Sequence, residues 1–445
     1  MMPQDPDIIR LRRWRTSTFL VMLIGYIGYY LCRANLSAAF PLLSDRFGYT
    51  NSELGLLAFY SELAYATGKF INGPLGDKVG GRPIFLLGMA GAVVFNLLFS
   101  IGSSLVYFTV IWCLCRYFLS MGWGGLAKTL GAWYEPSRNG TIMGVVSISF
   151  QFGGVVANLF AGFLVAQGVG WRGLFVYPAL VLTAIWVWSF FCSKGSPRDV
   201  VPGTNFGGMS ARTALSTGDD NDEESVAVSE IIKKLLSVEL FRLLLVYSFF
   251  TTLLRSIFIF WMPKFFVDLG LGNSAAILKS ALFPLLGCIG TIALGWYTDH
   301  YAKNGDRAKA MWIMLAALTL SLLGIAYSVA GDKPNHDLIL WLTGACGFFL
   351  LGPYSMSSGC LTLDIAGSKG AGSCTGIIDG IGYIGGALSV WGAGKISDEL
   401  GWSEVFLVLA AFSVVSTAAA YWMSLGFQRT ARERTDLVTK KSPTE

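Results

Sequence analysis

The stretch YYLCRANLSAAFP, residues 29–41, decides how this chain is read, because it places an arginine, Arg33, near the middle of a long apolar run. The chain has 445 residues, of which 53% are hydrophobic, 14% are charged and 53 are glycines. Soluble domains are rarely built that way. Helical membrane proteins often are, since glycine lets helices approach closely in lipid. A window of about 20 apolar residues spans a hydrocarbon core ~30 Å thick, and such windows recur around roughly 17–43, 54–72, 83–103, 105–133, 140–166, 171–192, 240–266, 275–297, 309–330, 338–363, 370–397 and 402–427. The alternation of a membrane barrel is missing, so the windows read as twelve transmembrane helices of an all-α membrane protein. RLRRWR leads straight into the first window, which is too long for a cleavable signal and is followed by further spans.

Lysine and arginine set the expected orientation. With an even number of spans, Arg10, Arg12, Arg13, Arg15, Lys78, Arg82, Arg138, Lys303, Arg307, Lys309 and Lys369 fall in loops on one side, together with the basic residues of the central loop and the tail. The other side holds at most Arg46, Arg172, Lys264, Lys279, Lys333 and Lys395. Both termini are therefore expected in the cytoplasm, in a plasma (inner) membrane or alternatively an organelle membrane. The net charge of +5 is largely this asymmetry and does not suggest a nucleic-acid partner. Cys32, Cys113, Cys115, Cys192, Cys288, Cys346, Cys360 and Cys374 lie within or at the edges of spans, without metal spacing or a disulfide framework. With only His300 and His336 available, a zinc site or a Ser-His-Asp site has almost no material. The chain reads as neither an enzyme nor a cofactor or metal carrier.

A hydrophilic segment, 193–238, carries the acidic run GDDNDEES and reads as a cytoplasmic linker, with SEIIKKLLSVELF able to form an amphipathic helix at its end. It separates six-helix bundles expected at 1–192 and 239–445. A single offset superposes Arg33 on Arg255, Pro41 on Pro263, Gly48 on Gly270, Gly68 on Gly290, Gly73 on Gly295 and Asp77 on Asp299. Six coincidences at one shift imply two parallel, pseudo-symmetric repeats, an organisation that in transporters places the site at the repeat interface near the bilayer midplane. The loop GPLGDKVGGR, residues 73–82, fits G-x-x-x-D-[RK]-x-G-x-R of the major facilitator superfamily, and GWYTDH, 295–300, echoes it. Gly73 is expected to permit close helix contact, and Asp77 to cap a helix and pair with basic residues; with Arg82 and Asp299 they are expected to form a gating group, not a substrate site.

An arginine at a helix centre costs ~2.5–3.5 kcal/mol on insertion scales, so it persists where it faces a cavity or a partner. Planar donor forks suit a phosphate; the bland alternative is a pair of structural arginines, each neutralised by a local carboxylate. Tyr26, Tyr30 and Arg33 form one helical stripe, Glu62, Tyr65 and Lys69 a second, and Thr375, Asp379 and Tyr383 a third. Gln151 and Asn158 share a face of span five, although amides there often only join helices. Arg116 and Lys128 on span four rank behind these: Arg116 stands where the superfamily often has an arginine, and Lys128 falls near the expected cytoplasmic mouth.

The sequence resembles the organophosphate:phosphate antiporters of the major facilitator superfamily along nearly its whole length. The resemblance rests on GYIGYYLCRANLSAAFP, AYATGKFINGPLGD, MGWGGLAKTLGAWYEP, LLRSIFIFWMP and TGIIDGIGYIGG. It implies Arg33 and Arg255 as phosphate ligands, Lys69 as an auxiliary cation, and Tyr26, Tyr30, Tyr65 and Tyr383 as pore-lining groups. Asp379 within GIIDG looks like the eukaryotic sugar-phosphate branch. Ala34 stands where bacterial glycerol-phosphate transporters carry a base, and Phe260, Pro284 and Phe150 where they carry two acids and a histidine, so Glu62 and Asp379 are the candidate replacement ion-pair partners. The resemblance implies a carrier in the lipid bilayer that exchanges a phosphorylated small molecule for inorganic phosphate, and a monomer is expected. The rivals are a proton-coupled carrier of another organic anion and a non-transporting sugar-phosphate sensor.

Overall fold

The computed structural model describes residues 6–134, 139–204, 237–301, 306–331, 334–357 and 360–440. The acidic run of the linker lies outside the described residues. Among the described residues the chain forms fourteen α-helices, one short 3-10 turn at Pro197–Asp199 and no strand. The first seven helices are α1 (Pro6–Phe47), α2 (Asn51–Val79), α3 (Gly81–Ser100), α4 (Leu105–Leu119), α5 (Met121–Trp133), α6 (Asn139–Ala166) and α7 (Gly173–Cys192). The second seven are α8 (Glu239–Asp268), α9 (Asn273–Ser280), α10 (Leu282–Tyr301), α11 (Ala308–Ala330), α12 (His336–Ser357), α13 (Cys360–Glu399) and α14 (Trp402–Lys440).

Two pairs of these helices form one span each, Leu105–Trp133 from α4 and α5, and Asn273–Thr298 from α9 and α10. Counted so, ten of the twelve expected spans are long and apolar enough to cross a membrane. The other two are α2 and α13, whose 29 and 40 residues suffice in length. They fall short in hydropathy, and they carry Glu62, Lys69 and Asp379. Both of the least apolar spans thus hold candidate site charges, as expected of helices that face a polar interior in place of lipid.

The chain divides into two compact units. The first takes the chain as far as Tyr49, then Leu56 onward into the linker, and also Met262–Ala281; the second takes Thr50–Gly55, the chain up to Trp261, and Leu282 onward. In the first unit α1 packs on α6 and α7, and α3 on α4, α5 and α7. Buried amides tie this packing together: Asn35 Nδ2 donates to Asn96 Oδ1 (2.6 Å) and to the Leu174 carbonyl (3.1 Å). In the second unit α10 packs on α12, and α11 on α12 and α14. There Asp398, at the end of α13, accepts from the backbone N–H groups of Asn51 (3.1 Å) and Ser52 (2.7 Å) and from the Ser52 hydroxyl (2.7 Å). A carboxylate from the far end of the chain therefore supplies the acceptors that the first turn of α2 needs.

The repeat read from sequence reappears in backbone geometry. Pro41 and Pro263 both lie inside helices, α1 and α8. Gly48 and Gly270 end those helices with φ of 72° and 94°, the left-handed conformation glycine adopts most readily. A Cβ on Gly68 would collide with Ser120, and one on Gly290 with the Phe348 backbone, so both glycines are required by close helix contact. Gly73 behaves otherwise. A Cβ there, as at Gly295, would meet nothing within 4 Å, so the close contact expected at Gly73 is made one turn and more earlier, at Gly68.

Candidate functional site

The charged stripe of α2 and the arginine of α1 come together in the first unit. Arg33 Nη1 lies 3.2 Å from the Tyr65 hydroxyl, and its guanidinium carbon is 4.6 Å from the Tyr65 ring centre and 5.3 Å from that of Tyr30. Lys69 Nζ approaches the same Tyr65 ring at 5.7 Å. Tyr65 and Tyr30 are buried, while Arg33 and Lys69 are half-buried. A guanidinium against an aromatic face gains from the ring quadrupole and keeps its N–H donors in its own plane. Tyr26 packs against Tyr30 (5.7 Å between centroids) and Trp123 (5.5 Å), so the first stripe is at once a polar lining and a packed aromatic column. Gln151 is buried on α6, near where Gly153 presses on Tyr30.

Glu62, at the head of the α2 stripe, pairs with Arg116 of α4. Both are almost fully buried, at 2% and 1% exposure. The Arg116 guanidinium carbon lies 4.5 Å from the Tyr65 ring centre. One tyrosine ring is thus shared by two guanidiniums, those of Arg33 and Arg116. Arg116 ranked low on sequence grounds, and it is central to this cluster. Lys128 is exposed on α5.

In the second unit Arg255 is buried, with its guanidinium carbon 4.6 Å from the ring centre of Tyr354 on α12. Each repeat therefore sets its arginine against a tyrosine face at the same distance. Sequence reasoning missed Tyr354; its only signal was a polar aromatic just after Gly352-Pro353 inside a span. The GIGYIGG segment explains how α13 reaches Arg255's helix. A Cβ on Gly382 would come within 2.6 Å of Thr252 Oγ1, one on Gly385 within 2.8 Å of the Phe249 carbonyl and one on Gly386 within 2.5 Å of Ser256 Oγ. Only glycines let α8 and α13 approach so closely. Ser248 Oγ donates to the Ile378 carbonyl (3.3 Å) and Ser389 Oγ to that of Leu253 (3.1 Å). In this register half-buried Asp379 lies nearer the start of α13 than the residues level with Arg255. Tyr383, which is buried, lies between those two levels.

Of the expected gating residues, Arg82 is engaged away from both clusters. Its Nε donates to Ser193 Oγ (3.0 Å) and its Nη2 to the Phe190 carbonyl (2.5 Å), so it satisfies the C-terminal end of α7, where a cation is favoured. The side chains of Asp77, Asp299 and Thr375 lie outside what is described.

Comparison with known proteins agrees with this architecture. The family model described as Major Facilitator Superfamily matches residues 22–390. A probable hexose phosphate transport protein of Chlamydia pneumoniae is 26% identical, over 93% of this chain and 92% of its own length. The glycerol-3-phosphate transporter of Bacillus subtilis is 26% identical, over 91% of each. The membrane sensor protein UhpC of Escherichia coli is 27% identical, over 92% of this chain and 91% of its own. Among solved structures, a bacterial homologue of the human lysosomal transporter Spinster, inward-facing and unoccupied, aligns with a TM-score of 0.72 at 15% identity, over 94% of this chain and 98% of that one.

Proposed function

We propose that this protein, which belongs to the Major Facilitator Superfamily, exchanges a phosphorylated small molecule, a sugar phosphate or glycerol phosphate, for inorganic phosphate by alternating access. One observation carries the reading: two arginines at equivalent positions of the two repeats, each inside a span and each with its guanidinium 4.6 Å from a tyrosine ring centre. Two planar forks held from the side are suited to the acceptor oxygens of a phosphoryl group. The relatives named for hexose phosphate and glycerol-3-phosphate transport point to the same class of cargo.

Roles follow from charge and position. Arg33 and Arg255 bind the phosphoryl group. Lys69 adds a flexible point charge beside Arg33, and Tyr26, Tyr30, Tyr65 and Tyr383 line the path with Gln151. An ionised Asp379 repels phosphate, and its level on α13 suits a hydroxyl of the organic moiety. Gly73, Asp77 and Asp299 keep their proposed part in gating. The Lys/Arg bias between the two sides, with an even number of spans, supports cytoplasmic termini.

A second reading has a specific support: the sensor relative is as similar as the transporters. Counterflow in liposomes separates the two. Purified protein loaded with inorganic phosphate should accumulate labelled phosphate and be inhibited by a subset of phosphorylated metabolites. Saturable binding of those metabolites without counterflow would establish the sensor instead. Uptake that needs a pH gradient and no internal phosphate would replace exchange with proton coupling.

A further inference from the structure

The Glu62–Arg116 pair has no part in the roles assigned above, yet it sits against the ring that Arg33 uses. Glu62 and Tyr65 are three residues apart on α2, on one helix face. Arg116 reaches that face from α4, pairs with Glu62 and lies 4.5 Å from the Tyr65 ring centre. Tyr65 in turn meets Arg33 from α1, through its ring at 4.6 Å and its hydroxyl at 3.2 Å. A buried ion pair is weak evidence for stability, because well-packed apolar residues often serve as well; its better-supported use is to fix one arrangement among several. Here the arrangement fixed is that of a tyrosine that orients a proposed ligand.

We propose that Arg116 and Glu62 are positioning residues for phosphate recognition. Glu62 holds the Arg116 guanidinium in place, Arg116 fixes the Tyr65 ring, and the Tyr65 hydroxyl and face aim the fork of Arg33. The pair is neutral as a unit, so it orients without adding a competing cation beside the anion. Removing either partner alone leaves a buried charge. Arg116 without Glu62 is a rival cation next to Arg33, and Glu62 without Arg116 is an anion facing phosphate. This assignment rests on the reading of Arg33 as a phosphate ligand.

The test uses the full chain in liposomes and inorganic phosphate as the probe. The variant Glu62→Gln/Arg116→Met removes both charges at nearly constant volume and avoids leaving either one stranded. Its thermal midpoint should stay near that of the parent, its KM for phosphate should rise about five- to tenfold, and its maximal exchange rate should change less than twofold. Tyr65→Phe should raise KM on its own, and adding it to the double variant should raise KM little further, because both act through the same hydroxyl. Glu62→Asp with Arg116 intact keeps a carboxylate for the guanidinium and should retain most of the affinity. A merely structural pair predicts another pattern: a lowered thermal midpoint and maximal rate with unchanged KM, and that result overturns the proposal. So does full additivity with Tyr65→Phe. Arg33→Lys separates this failure from that of the underlying reading. If Arg33→Lys binds phosphate like the parent, Arg33 is no ligand and both fall. If Arg33→Lys is impaired while the neutral double variant keeps its KM, only the positioning role falls.

Discussion

Replacing either arginine by lysine keeps the charge and removes the fork, so it separates electrostatic attraction from directed hydrogen bonding. A guanidinium engaging a phosphoryl group with two parallel N–H bonds makes two charge-assisted contacts, each worth ~1.5–3 kcal/mol. An ammonium on a flexible stem keeps the charge and about one directed contact. Arg33→Lys should then cost ~1.5–3 kcal/mol of binding, which at ~1.4 kcal/mol per decade is roughly a 10- to 150-fold rise in Kd for inorganic phosphate. The geometry also sets a smaller reference effect. Tyr65→Phe keeps the ring face 4.6 Å from the guanidinium carbon and removes only the hydroxyl 3.2 Å from Nη1, a loss of ~0.5–1.5 kcal/mol, or about two- to tenfold. The order should therefore be parent, Tyr65→Phe, Arg33→Lys, with Arg255→Lys near Arg33→Lys because Arg255 holds the same 4.6 Å relation to Tyr354. Equilibrium binding of labelled phosphate at one fixed ionic strength reads this, since exposed charges elsewhere are screened alike in all variants. An Arg33→Lys protein within threefold of the parent, or one less impaired than Tyr65→Phe, refutes the fork argument.

Three further outcomes follow from the packing and the second unit. Gly290→Ala should lower the thermal midpoint by the equivalent of ~1–3 kcal/mol, because its Cβ has no room beside the Phe348 backbone, while Gly295→Ala, whose Cβ meets nothing within 4 Å, should melt like the parent; equal melting of the two would contradict the helix spacing. Asp398→Ala should cost ~0.5–2 kcal/mol in the same melt, the range for loss of a helix N-cap, with Asp398→Asn intermediate, since Asn51 and Ser52 lose their acceptor; an unchanged melt would mean water replaces the carboxylate freely. Asp379→Asn should alter uptake of the organic phosphate more than phosphate:phosphate exchange at constant pH, and equal loss of both would assign it to helix packing.

Much of this architecture was legible because it is written in local pattern. The spans follow from window hydropathy, and the repeat from one offset. That offset also carried conformational information, since Gly48 and Gly270 both end helices at positive φ. The Arg33 stripe was legible for a similar reason: i, i+3 and i+4 spacing puts groups on one face whatever the tertiary fold. What escaped was set by contacts between helices distant in sequence. Glu62 and Arg116 both stood out as charges within spans, yet nothing in their spacing says that they pair or that Tyr65 lies beside them. Tyr354 and Asp398 are likewise defined by partners elsewhere, Arg255 and the start of α2. Gly73 differs in the opposite direction: a Cβ there would meet nothing within 4 Å, whereas one at Gly68 would collide with Ser120.

The two kinds of arginine in the first unit also bear on why exchange is the proposed mode. Arg116 is compensated permanently, by a carboxylate of the same unit. A cation–π contact contributes ~0.5–2 kcal/mol, so the tyrosine faces beside Arg33 and Arg255 serve mainly to orient them. A phosphate carrying between one and two negative charges near neutral pH, bound by both as proposed, brings charge compensation that moves with the cargo. On this reading the loaded carrier closes readily and the empty one slowly, which couples inward and outward movement of anions without a proton. The distinction is measurable as the ratio of phosphate-loaded to phosphate-free efflux. Glu62→Gln should shrink that ratio's numerator by removing the carboxylate paired with Arg116, and a substitution that adds a carboxylate beside Arg33, such as Ala34→Glu or Tyr30→Glu, should raise the empty-carrier leak while weakening phosphate binding.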